Sequence, residues 1–80
     1  MARRLYRPRP ATVAASADGV PERVGRGGVD TVREEWLVED RWWTARPLRR
    51  RYFELTMTSG ANAVVFCDLS SGRWYTQKGA

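Results

Sequence analysis

The sequence predicts a mainly β protein: an antiparallel meander closing into a curled sheet or small open barrel, with a disordered basic N-terminal arm. Three observations in the C-terminal half predict it. In residues 51–57, Phe53, Leu55 and Met57 alternate with Tyr52, Glu54 and Thr56, the period of a half-buried strand. Ala63-Val64-Val65-Phe66-Cys67 is an apolar, partly β-branched run suited to a central strand. Short turn-forming segments, Ser59-Gly60-Ala61-Asn62 and Asp68-Leu69-Ser70-Ser71-Gly72, flank that run, and residues 73–77 return as the last strand.

The N-terminal half is read in the same terms. Residues 11–15 form a first short strand ending at Asp18-Gly19, and residues 20–26 a second, interrupted by Pro21 and Gly25. Gly27-Gly28 supplies the next turn. Residues 29–38 read as a strand of imperfect alternation, with Val32, Trp36 and Val38 on one parity and Glu34 as the exception. Residues 40–48, with Trp42-Trp43 and Pro47, form an irregular aromatic-rich connection. Trp36, Phe53 and Trp74 are assigned to the core.

Eighty residues allow one compact core. Residues 1–10 are expected as a flexible basic arm and residues 11–80 as a single β domain. A lone cysteine, Cys67, cannot form an internal disulfide, and with no histidine no ordinary zinc site is expected. Packing must then supply the stability, and four tryptophans are suited to it.

The net charge of +5 is unevenly placed. Arg3, Arg4, Arg7 and Arg9 give the first ten residues +4; the other seventy hold ten Lys/Arg against nine Asp/Glu, leaving +1. The basic field belongs mainly to the arm, with a second run at Arg49-Arg50-Arg51. The longest uninterrupted apolar run is 63–67, too short to span a membrane. Arg3-Arg4 is followed by Tyr6-Arg7-Pro8-Arg9-Pro10 where a signal peptide needs an apolar stretch, so a cytoplasmic location is expected.

An enzyme is not expected. Histidine is absent, and Cys67 sits in the most apolar strand, where a thiol is a small core group. Glu34-Glu35 and Glu39-Asp40 are adjacent, so a strand sends their carboxylates to opposite faces. No phosphate-binding or dinucleotide fingerprint is present, and neither cofactor nor small-molecule substrate is expected.

Binding is where the residues point. Arg41-Trp42-Trp43 and Arg49-Arg50-Arg51 combine aromatic anchors with guanidinium groups, a composition suited to a protein contact. The alternative is direct binding of single-stranded nucleic acid. Arg3, Arg4, Arg7 and Arg9 would lie on phosphates, and Arg73 and Tyr75 on an aromatic-arginine face. The arm also reads as a solubilising tail.

Three blocks carry a resemblance: Glu35-Trp36-Leu37-Val38-Glu39-Asp40-Arg41-Trp42-Trp43, then Arg50-Arg51-Tyr52-Phe53, then Asp68-Leu69-Ser70-Ser71-Gly72-Arg73-Trp74-Tyr75. Together they resemble a small bacterial family of unknown function, itself similar to the C-terminal tail domain of ImuB, a polymerase-like Y-family protein. The resemblance covers about residues 29–77. It implies an adaptor for replication or translesion proteins within a mutasome. The chain lacks the polymerase body, so no catalytic carboxylate is carried over, and the glycine-rich stretch 24–28 departs from the family pattern.

Overall fold

Alternating sequence becomes a single sheet of seven antiparallel strands in the computed structural model, which describes residues 8–40, 45 and 47–77. The strands are β1 (Arg9–Pro10), β2 (Val13–Ala15), β3 (Pro21–Val24), β4 (Gly27–Asp40), β5 (Leu48–Met57), β6 (Asn62–Asp68) and β7 (Trp74–Gln77). Their order in the sheet is β1-β7-β6-β5-β4-β3-β2. Among the described residues no helix is long and apolar enough to cross a membrane.

Two short segments of one N-terminal stretch hold the two ends of this sheet. β1 pairs with β7 and β2 pairs with β3, yet only Ala11 and Thr12 separate them. The Ala11 amide donates to the Trp74 carbonyl at 3.0 Å, and the Thr12 carbonyl accepts from the Gly25 amide at 2.7 Å. Two residues span at most about 7 Å, so the sheet must curl until β7 and β3 flank the same stretch. The result is a partly open barrel. Arg9 and Pro10, assigned by sequence to the arm, therefore belong to the sheet; residues 1–7 lie outside the described residues.

The curl gives the sheet an inner and an outer side. Phe53, Leu55 and Val65 are fully buried inside, packed by Val20, Val24, Val29, Val32, Met57 and Trp74. Their alternation partners on β5, Tyr52, Glu54 and Thr56, lie outside, as the period-2 pattern predicts.

β4 departs from that pattern, and the register shows why. Val29 pairs with Met57 and Thr31 with Thr56, so Asp30 is an extra residue; Val32 pairs with Leu55 and Glu34 with Glu54, so Arg33 is another. Each such bulge flips the parity of the residues after it and bends the strand, which helps the sheet curl. Val32 accordingly faces the core while Trp36 and Val38 face outward, and the shared parity read from the sequence is corrected. Trp36 is also corrected as a core residue: it is 39% exposed. Phe53 and Trp74 are core, with ring centroids 5.7 Å apart.

The turn assigned to Gly27-Gly28 lies two residues earlier, at Gly25-Arg26, where Gly25 has φ of 59°. Gly27 and Gly28 open β4 and pair with Val24 and Arg23. Strand limits elsewhere also move: residues 11–15 shorten to β2, 20–26 to β3, and 51–57 lengthens to β5. Most of the connection at 40–48 lies outside the described residues.

Arg51 ties the hairpin β2–β3 to the inner side of the barrel. Its Nη1 donates to the Asp18 carbonyl at 2.9 Å, its Nε pairs with Glu35 of β4, and its guanidinium carbon lies 4.9 Å from the centre of the Phe53 ring. Gly19 makes this approach possible. Its φ is 82°, and a Cβ there would stand 2.7 Å from Arg51 Nη1. Gly60, at φ of 93°, has open space around it. Gly19→Ala is therefore expected to cost more than Gly60→Ala, which carries only the left-handed backbone penalty of about 1–2 kcal/mol. Urea melts of the two variants check the order; equal losses would contradict the contact.

Candidate functional site: an aromatic row on the outer face

Register, set by two turns and two bulges, brings one aromatic residue from each of four strands into line. Trp36 pairs with Tyr52, Tyr52 with Phe66, and Phe66 with Tyr75; Pro10 of β1 continues the line beside Tyr75. Successive ring centroids lie 5.3, 4.9 and 5.2 Å apart, close to the spacing of neighbouring strands. The Trp36 and Tyr52 planes differ by 8° and those of Phe66 and Tyr75 by 22°. The rings thus stand on edge and use their faces on each other. Phe66, in the middle, is buried; Tyr52 and Tyr75 are half-buried; Trp36 at the end is exposed.

Arg50 lies over this row. Its guanidinium carbon is 4.4 Å from the centre of the Phe66 ring, and its Nη1 donates to the Tyr52 hydroxyl at 3.0 Å. Its Nε–H is buried with no acceptor among the described residues, a costly arrangement for a donor.

The arginine triplet predicted as one contact surface is divided by the strand. Arg49 and Arg51 point to the other side of β5 and pair with Glu39 (3.2 Å) and Glu35. Only Arg50 joins the aromatic row. Arg41, Trp42 and Trp43 lie outside the described residues, as do Arg3, Arg4 and Arg7. Arg9 and Arg73 are exposed near the barrel seam, where Pro10, Ala11, Thr12, Val13, Gly72, Arg73, Trp74 and Tyr75 line an open groove of about 410 Å³. Tyr75 belongs both to this groove and to the end of the row.

Carboxylates flank the row. Glu34 and Glu54, direct cross-strand partners, lie on one side of it, and Asp68 pairs with Arg50 in register on the other. Asp68 is partly engaged in its own turn, accepting from the Ser70 amide at 2.8 Å. The adjacent pairs Glu34-Glu35 and Glu39-Asp40 are indeed split between faces. The sequence reading missed the pair across the strands, because that neighbour depends on register.

Cys67 lies on the inner parity, paired in register with Arg51 and Trp74. Burial raises its thiol pKa above the ordinary value and nearby Asp68 raises it further, against a smaller lowering by Arg51. The thiol is thus held in its protonated, less nucleophilic form.

No protein-family model, curated protein or solved structure matches this chain.

Proposed function

We propose that the chain is a non-catalytic adaptor that docks a protein partner on the outer face of its sheet. The observation that supports this is the row Trp36–Tyr52–Phe66–Tyr75 with Arg50 across it. Aromatic residues and arginine in a half-buried patch are the side chains that anchor protein interfaces. The resemblance to the ImuB tail supplies the partner class, replication or translesion proteins.

Two features weigh against single-stranded nucleic acid on this same face. Bases stack on free ring faces, whereas these rings face one another and only the Trp36 end is open. Phosphates would also meet Glu34, Glu54 and Asp68, with Arg50 the one cation on that side of β5, β6 and β7. A nucleic-acid reading is favoured elsewhere, at the seam, where exposed Arg9 and Arg73 form no ion pair among the described residues.

Fluorescence anisotropy with labelled single-stranded DNA over a salt series tests the assignment. Any binding is expected to fall steeply with salt, to weaken in a chain lacking residues 1–8, and to be unchanged by Trp36→Ala. Salt-resistant binding lost in Trp36→Ala would transfer the outer face to nucleic acid.

A further inference from the structure

We propose that the partner seats a basic side chain, arginine by preference, between Glu34 and Glu54, against the Trp36–Tyr52 stack. This deepens the protein-docking reading and rests on it. Glu34 and Glu54 stand directly opposite one another, in the row next to Trp36 and Tyr52. Side chains so placed have Cβ atoms about 4.5–5.5 Å apart, and like charges there destabilise a sheet.

The rest of the sheet shows how this chain handles other carboxylates nearby. Glu35 is paired with Arg51 and Glu39 with Arg49. Glu34 and Glu54 have no hydrogen bond or ion pair among the described residues. Their row continues into Val64 and Gln77, and the row beyond is Thr31, Thr56 and Asn62, with no cation in either. Arg33, in the bulge beside Glu34, makes no ion pair with either carboxylate. Two like charges are thus kept beside the row of four aromatic rings.

A guanidinium fits this position chemically. Its planar fork can donate to both carboxylates while its apolar stem lies along the edges of the Trp36 and Tyr52 rings, a bidentate geometry that an ammonium does not offer. A phosphate backbone would be repelled. A metal ion finds no set of three ligating side chains among the described residues. Charge complementarity therefore selects a protein segment that pairs a basic residue with an apolar one.

The full chain, immobilised and panned against a random dodecapeptide phage library, tests this. Selected peptides, synthesised, are then measured against the native chain, Glu34→Gln/Glu54→Gln and Trp36→Ala. The expected result is enrichment of arginine or lysine beside an apolar residue, with affinity at least about fivefold weaker in the double Gln variant. Peptides lacking a basic residue, or binding the double Gln variant equally well, would overturn the cation seat; if Trp36→Ala still abolished their binding, the docking face would stand. No peptide whose binding depends on Trp36 would overturn both. The double Gln variant is expected to melt higher than the native chain, and a lower melting temperature would contradict the repulsion on which the proposal rests.

Discussion

Phe53→Ala is expected to abolish the cooperative thermal transition of this chain. The reason lies in how little core there is. Among the described residues the fully buried side chains are Phe53, Leu55, Val65 and Phe66, and Phe66 belongs to the outer row. Phe53 sits in β5, in the middle of the sheet order, between Glu35 and Val65, and touches both the Trp74 ring and the Arg51 guanidinium. Truncating a buried phenylalanine costs about 3–5 kcal/mol. A single core in a domain of this size supplies only about 3–5 kcal/mol in total. Loss and reserve are equal, so unfolding is the expected result. Circular dichroism melting checks it; a sharp transition within a few degrees of the native one would show that the core lies elsewhere. Phe53→Leu, which keeps most of the apolar volume, is expected to retain a transition at lower temperature.

Trp36→Ala is expected to do the opposite: to spare the fold and remove the partner. With 39% of its surface exposed at the end of the row, Trp36 contributes to stability mainly through its stack with Tyr52. Such a pair contributes about 0.5–1.5 kcal/mol beyond area burial, a loss the domain can absorb. As an interface anchor the same ring is expected to contribute at least about 2 kcal/mol, roughly thirtyfold in affinity. Leu37 provides the comparison. It is 56% exposed on the adjacent position but directed to the other side of the strand, opposite Arg51. Leu37→Ala should leave affinity unchanged. Parallel melting and binding measurements separate the two effects, and equal affinity losses for both variants would contradict a site confined to the outer face.

These contrasts also show which parts of the molecule were legible in its sequence. β5 and β6 were, because 51–57 alternates cleanly and 63–67 is uniformly apolar, and β7 followed as the return strand after the turn at Gly72. β4 was legible as a strand and misread by face, since Asp30 and Arg33 are bulged and a bulge has no fixed residue signature. The pairing of Arg9 and Pro10 with β7 was hidden because two residues carry no period; their place is decided by the far end of the chain. The aromatic row was hidden for the same reason. Trp36, Tyr52, Phe66 and Tyr75 are spaced 16, 14 and 9 residues apart, and only the registers of three strand pairs align them. The basic triplet erred in the reverse direction: adjacency suggested one patch, and the strand split it.

Site-specific photocross-linking in the cells that express this chain tests the docking face most directly. A benzophenone side chain at Asn62, an exposed residue on the outer side two rows from the aromatic line, should report whatever covers that face. One at Ser59, in the β5–β6 turn, serves as the control. The expected result is a discrete protein adduct from position 62 that disappears when Trp36→Ala is added and is not formed from position 59. A nucleic-acid adduct at position 62, or a protein adduct indifferent to Trp36, would contradict protein docking on the aromatic row.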